Sequence, residues 1–219
     1  MQHATIFGGF GGQGLLFAGH VLAEAAVIEG RNVSWMPSYG PEMRGGTASC
    51  TVIVADRPIG SPIVDAADSV VALNPPSLAK FEELLVQDGL LVLNASLIEA
   101  EPRRDDVEVL ALPCSALARA AGDDRLVSVV ALGGLIARRA IVSPDSVRQA
   151  LIELVGQQRP ALVAADLAAF SRGYDQAGTQ ASVAPGATPA ASKRVPTIGR
   201  KPPSRRRLSK GGSGRDRRS

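Results

Sequence analysis

The run ATIFGGFGGQG at residues 4–14, followed by LLFAGHVLAEAAVIEG at residues 15–30, decides the fold class. Ala4–Phe7 is short and β-prone, glycine then dominates up to Gly14, and the apolar residues from Leu15 to Glu29 recur at helical spacing. The order is strand, glycine turn, helix, with Gly30 at the position where a helix commonly ends. Gly9, Gly11 and Gly14 fit GxGxxG in the context that gives the pattern meaning, directly after a strand and opening a helix. Bare backbone N–H groups and the positive end of the helix dipole there attract an anion such as phosphate. The same glycines also serve a tight strand-to-helix turn, and both readings stand at this point.

Working outward, Arg31–Met36 reads as a second strand, Pro37–Gly46 as a long polar loop, and Ala48–Ala55, Ser69–Leu73, Leu90–Leu93 and Val107–Leu112 as further strands. Continuous short apolar runs are the mark of strands buried on both faces, which is the habit of parallel sheets. Helices are expected from Pro75 to about Gln87, over Ser115–Ala121, over Leu126–Ala140, from a Ser143-Pro144 start to about Val155, and from Ala161 to about Tyr174. Gly133 and Gly134 within the third of these suit close helix packing, and Leu162, Leu167 and Phe170 mark the buried stripe of the last. The class is α/β: an open, mainly parallel, Rossmann-like sheet flanked by helices, with C-terminal helices. One domain is expected over 1–175. Residues 176–219 are rich in Ala, Pro, Gly, Ser, Thr and Arg and carry too little apolar mass to offset ordering entropy, so they read as a disordered basic tail.

The chain of 219 residues is 45% hydrophobic but only 4% aromatic, which fits a core of small aliphatics and gives no aromatic surface for stacking nucleic-acid bases. Of 24 Lys and Arg, eleven follow Gln176, while of 21 Asp and Glu only Asp216 does; 13 basic and 20 acidic residues remain in the body. The net charge of +3 therefore describes the tail, and no nucleic-acid partner follows from it. Within the tail, Arg205-Arg206-Arg207-Leu208-Ser209 suits an acidic surface or a kinase, but a solvated extension accounts for it. Cys50 and Cys114 are isolated, with no CxxC, so the chain alone assembles neither an iron–sulfur nor a zinc site. The longest apolar run, Leu126–Ala137, is interrupted by Ser128 and is too short to span a bilayer, and no signal-peptide pattern opens the chain. A cytoplasmic protein without membrane contact is expected.

A nicotinamide or flavin dinucleotide site wants an acid at the end of the second strand to hold the ribose hydroxyls, yet this strand ends Trp35-Met36-Pro37-Ser38. The loop SYGPEMRGG at 38–46 gathers a hydroxyl, a phenol, a carboxylate and a guanidinium at the edge of the sheet where open α/β folds bind ligands. Arg44 suits bidentate contact with a phosphate or a partner carboxylate, or else a Glu42–Arg44 surface pair. No catalytic acid or base stands out: His3 is terminal, His20 lies within the first helix as a packing or surface residue, and the carboxylates form no pair. Cys50 reads as a small buried apolar residue.

With GFGGQG at 9–14, SYGPEMRGG at 38–46, TASCTVIV at 47–54, IGSPIV at 59–64, Ala72-Leu73-Asn74 and Val130–Gly133, the body to about Tyr174 resembles the gamma subunit of 2-oxoacid:ferredoxin oxidoreductases. The resemblance implies a division of labour. Alpha and beta subunits, with a delta subunit left open, would hold thiamine diphosphate with magnesium and the iron–sulfur clusters, and the complex would convert a 2-oxoacid to an acyl-CoA while reducing ferredoxin. The chain would be inactive alone and would help position coenzyme A, whose phosphates would meet Gly11, Gly12, Gln13 and Gly14, with Ser38 and Arg44 assisting from the neighbouring loop. The wording SYGPEMRGGTASC leans toward 2-oxoglutarate, with pyruvate and ketoisovalerate in the same group. An indolepyruvate-type subunit, a purely structural subunit, in which the 38–46 loop is chiefly a subunit contact, and a free-standing NAD(P)-binding protein are the alternatives.

Overall fold

The period of two along a strand sends neighbouring residues to opposite faces of a sheet, and here both faces are apolar. Ile6, Val70 and Leu91 point to one layer while Phe7, Val71 and Val92 point to the other, so the central strands are buried on both sides. In the computed structural model, residues 1–38, 47–156 and 159–180 are described. Residues 39–46, with Arg44 and the expected loop and Glu42–Arg44 pair, and the basic segment 181–219 lie outside them.

The elements run β1 (Gln2–Phe10), α1 (Leu15–Ile28), β2 (Asn32–Ser38), β3 (Thr47–Ala55), β4 (Ala67–Ala72), α2 (Pro75–Phe81), β5 (Leu85–Asn94), β6 (Glu108–Leu112), α3 (Cys114–Ala121), α4 (Val127–Arg138), α5 (Pro144–Gly156) and α6 (Val163–Thr179). One six-stranded sheet has the order β2-β3-β1-β4-β5-β6. The pairs β1–β4, β4–β5 and β5–β6 are parallel, whereas β3 is antiparallel to both β1 and β2, so β3 alone runs against the other five. Parallel neighbours need a long crossover and antiparallel ones do not, so only eight residues separate β2 from β3 in the sequence. The expected mainly parallel α/β sheet is thus the observed one.

The layer facing α1 and α3–α6 holds the larger core, including Phe7, Leu22, Val52, Leu90, Leu132 and Phe170, and α2 covers the other face with Leu78 and Phe81. At the centre of the larger layer α4 is buried all round from Val127 to Ile136. It meets α6 backbone to backbone: a Cβ on Gly133 would run into the Phe170 carbonyl, and one on Gly173 into the Val130 carbonyl. The absence of side chains at this crossing sets the helix spacing.

Two expectations are corrected. The helix from Pro75 stops at Phe81, not near Gln87, because a 3₁₀ turn at Glu82–Leu84 delivers Leu85 into register with Ala67 in the sheet. Buried Glu82 holds that bend by accepting the N–H groups of Arg103 and Arg104. In α6 the buried stripe is Asp166, Ala169, Phe170, Gly173 and Ala177; Leu167 is only half-buried, and the helix continues to Thr179. Among the described residues no helix is long and apolar enough to cross a membrane.

Candidate functional site

β1 ends at Phe10, and a four-residue turn with three glycines, Gly11, Gly12 and Gly14, swings the chain into α1 at the carboxyl end of the parallel strands. Two of the turn residues have positive φ, Gly12 at 91° and Gly14 at 74°, a region that side chains with a Cβ enter at a cost. Gly14 is the N-cap of α1 and supplies no side-chain cap, and the first turn carries no acid. The first amides of a fourteen-residue helix are therefore neither capped nor neutralised by the helix's own side chains. Gly11 and Gly12 are exposed, and a Cβ on either would meet nothing within 4 Å.

The turn opens into a cleft of about 500 Å³. One wall is Phe10, Gly11, Gly12 and Gly14 with Leu15, Leu16 and Phe17 from the start of α1. The facing wall comes from the end of α5 with Leu154 and Val155, and from Arg159, Leu162 and Asp166; the 3₁₀ turn that precedes α4 adds Asp123, Arg125 and Leu126. The cleft is thus mainly apolar with a few charged groups, the usual make-up of a small-molecule site.

Its charges are unequal in kind. Asp123 caps the 3₁₀ turn by accepting the Arg125 N–H at 2.9 Å, and its carboxylate meets the Arg125 guanidinium at 2.6 Å. Those bonds hold the Asp123 carboxyl down at about 2. Arg125 stays two-thirds exposed, so the pair is weak as a stabiliser and its cation remains open to the cleft. Asp166, on α6, is only 5% exposed. Burial, assisted by the charge of Asp123, pushes its carboxyl up to about 6.

Of the expected site residues, Gly11, Gly12 and Gly14 come together on the cleft wall. Gln13 does not join them there: its Oε1 accepts the Phe10 N–H at 2.7 Å and its Nε2 donates to the Leu73 carbonyl at 3.5 Å, tying the turn to the end of β4. Ser38 is set apart, since it pairs with Ser49, which in turn pairs with Gly8, placing it two strands from β1 and off the cleft wall. Arg44 lies outside the described residues. His20 stacks on Trp35 with ring centroids 4.8 Å apart, so of the packing and surface roles left open for it the structure shows packing. His3 sits within β1, its ring nitrogen 3.0 Å from the Ser69 hydroxyl, and burial lowers its pKa against the pull of Asp68. Cys50 and Cys114 are both buried, and burial pushes both thiols up to about 12, which makes them inert.

Sequence reasoning missed the Asp123–Arg125 pair and Asp166. For Asp166 a signal existed: an acid four residues after Leu162 and four before Phe170 falls on the apolar stripe of its own helix. For Asp123 and Arg125 the signal was weaker, since capping turns with these residues are common at any surface.

Against known proteins, the family model for pyruvate ferredoxin/flavodoxin oxidoreductase matches residues 4–176, from within β1 to near the end of α6. The chain belongs to this family. The 2-oxoglutarate synthase subunit KorC of Methanocaldococcus jannaschii is 31% identical over 180 residues, 81% of the chain and 95% of that relative. The ketoisovalerate oxidoreductase subunit VorA of Methanothermobacter thermautotrophicus is 43% identical over 129 residues, and there the chain spans only 27% of the relative's length. Among solved structures, the gamma subunit of a keto/oxoacid ferredoxin oxidoreductase from Geobacter sulfurreducens superposes with a TM-score of 0.70 at 29% identity, over 80% of the chain and 98% of that subunit. The 2-oxoglutarate:ferredoxin oxidoreductase of Magnetococcus marinus, solved with 2-oxoglutarate, coenzyme A and succinyl-CoA bound, shares the fold with a TM-score of 0.75 at 22% identity, over 84% of the chain and 32% of that chain.

Proposed function

We propose that the chain is the gamma-type component of a multisubunit 2-oxoacid:ferredoxin oxidoreductase and that its glycine turn helps position coenzyme A. The observation that carries this reading is the family match over residues 4–176, in a chain whose uncapped α1 start and open Gly11-Gly12 backbone face a cleft. Backbone N–H groups at a helix N-terminus bind phosphate without a counter-charge from the chain, and Arg125 adds a cation at the rim. Thiamine diphosphate with magnesium and the iron–sulfur clusters, carried by alpha and beta subunits, would supply decarboxylation and electron transfer to ferredoxin.

What this chain contributes is orientation. Holding the phosphates of coenzyme A far from its thiol turns a bimolecular encounter into a nearly unimolecular one, an effect that reaches about 7–11 kcal/mol in well-aligned systems. Gly12 and Gly14 give the turn a shape that brings amides toward a phosphate, and Gln13 fixes that shape by bonding Phe10 and Leu73. 2-Oxoglutarate is the favoured 2-oxoacid, on the agreement with a 2-oxoglutarate synthase subunit over nearly the whole of that relative.

The test is an affinity pull-down of the chain from its native extract, with the eluate assayed for coenzyme A-dependent oxidation of several 2-oxoacids using an artificial electron acceptor. Activity greatest with 2-oxoglutarate is expected. Gly12→Asp, which sets a carboxylate at the open turn, should weaken coenzyme A binding by at least ~10-fold through charge repulsion at short range. Unchanged affinity in the assembled complex would remove the glycine turn from the site. A chain that came down alone, inactive and bound to NAD(P) would replace the whole reading.

A further inference from the structure

The cleft carries one charge that no described residue answers. Of its four charged lining residues, Asp123 and Arg125 hold each other, since both carboxylate oxygens of Asp123 accept from the Arg125 guanidinium, at 2.6 to 3.1 Å. Asp166 is sunk in the wall, only 5% exposed. Arg159 is exposed, and among the described residues its side chain forms neither an ion pair nor a hydrogen bond. Its backbone, by contrast, is fastened on both sides: the N–H donates to the Val155 carbonyl at 2.6 Å and the carbonyl accepts the Leu162 N–H at 2.9 Å, which joins the end of α5 to the 3₁₀ turn before α6. Pro160 then fixes the next backbone angle. The chain thus pins an arginine at the α5–α6 corner, on the wall that faces the glycine turn, and leaves its cation without a counter-charge.

We propose that Arg159 receives the 3′-phosphate of coenzyme A while the glycine turn receives its diphosphate. This rests on the reading of the glycine turn as a coenzyme A site. Coenzyme A presents two anions from one ribose, a diphosphate on the 5′ carbon and a phosphomonoester on the 3′ carbon, so a cleft that holds its adenosine end needs two anion seats on different walls. The cleft offers two, different in kind. At the glycine turn, the backbone amides of an uncapped helix with no first-turn acid suit a diphosphate, whose charge is spread over many oxygens. On the facing wall, a planar guanidinium presents paired N–H donors that fit two oxygens of a phosphomonoester. The apolar surface of Leu16, Phe17, Leu154 and Leu162 suits the ring and ribose that join the two anions. Arg125 is set aside for this role, because Asp123 already occupies its fork.

The experiment titrates the complex assembled around the full chain, by calorimetry, with coenzyme A and with dephospho-coenzyme A, which carries a hydroxyl in place of the 3′-phosphate. The unaltered complex should favour coenzyme A by at least ~10-fold, the effect of charge-assisted hydrogen bonds to a single group. Arg159→Gln should bring the two ligands within about twofold of each other, Arg159→Lys should keep part of the preference, and Arg125→Gln should leave it in place. Equal binding of both ligands by the unaltered complex, or a preference that survives Arg159→Gln, overturns the assignment of Arg159 while coenzyme A binding stands. A preference lost in Arg125→Gln and kept in Arg159→Gln hands the phosphate to Arg125 and overturns it as well. If the unaltered complex binds neither ligand, the coenzyme A reading falls and takes this assignment with it. The Arg159 side chain bonds no described residue, so Arg159→Gln should keep the unfolding midpoint of the unaltered chain, and the comparison of the two ligands on the unaltered complex needs no variant.

Discussion

At the scale of single residues, three glycines in one turn do different work. Gly14 has positive φ and a tight seat, since a Cβ there would lie 2.8 Å from the Ser128 hydroxyl and 3.2 Å from the Arg125 carbonyl oxygen. Gly12 has positive φ but open space, and Gly11 has open space alone. Alanine should therefore cost about 2–4 kcal/mol at Gly14, where overpacking adds to strain, about 1–2 kcal/mol at Gly12 and under ~0.5 kcal/mol at Gly11. Urea unfolding of the three variants checks the order, and a Gly11 variant less stable than the Gly14 one contradicts it. Asp166 gives a second prediction. Its folded carboxyl sits near 6, above the ordinary 3.8, so the stability tied to its proton is present below about pH 4 and is lost as pH rises through 6. Asp166→Asn should thus stabilise the chain at pH 8 by on the order of 1–3 kcal/mol and leave it unchanged at pH below 4, read as unfolding midpoints at the two pH values. An equal gain at both would mean that the carboxylate is not the cause.

At the scale of elements, the α4–α6 crossing is the joint on which the cleft depends. α6 carries Asp166, α4 follows directly on the turn bearing Asp123 and Arg125, and Gly133 and Gly173 let their backbones touch. A methyl group at Gly173 meets backbone, which cannot rotate away, so Gly173→Ala should cost about 2–4 kcal/mol and widen the cleft. Chemical unfolding gives the first number, and a stability loss under ~0.5 kcal/mol would show that the helices part easily. Gly134 packs instead against the Leu112 side chain, which can yield, and alanine there should cost less.

At the scale of the whole molecule, five strands with one direction bring their carboxyl ends to a single edge, and the glycine turn stands on that edge at the end of the central β1. α1 leads the chain to β2 on one side, while β4 continues through α2 to β5 on the other, and a sheet whose connections diverge in this way leaves a crevice between the diverging strands. Gln13, bonded to Leu73, spans that divide. A ligand that binds only the folded chain adds RT ln(1 + [L]/Kd), so coenzyme A at one hundred times its Kd should add ~2.7 kcal/mol to the unfolding free energy. NAD at the same concentration should add none, because β2 ends without the acid that would hold its ribose. A thermal-shift series separates the two, and stabilisation by NAD alone would reverse the choice.

The strand–glycine–helix opening and the alternation of short buried strands with helices were legible because they rest on local rules: the period of a strand, the period of a helix, and the tolerance of glycine for positive φ; the family came instead from the resemblance of whole motifs between residues 9 and 133. Gly11, Gly12 and Gly14 followed from the same rules, since one turn of chain holds them together. Ser38 was misplaced because sequence says that a strand ends there but not that β3 inserts between it and β1. Asp123, Arg125 and Asp166 meet the glycine turn across more than a hundred residues, and that meeting is set by the order of strands and by two helices crossing at glycine. Gln13 was read as a ligand contact, and the fold bonds its side chain to Phe10 and Leu73. Chain-local chemistry thus determined the elements and the turn, whereas long-range packing alone decided which charges face that turn and which are spent holding it.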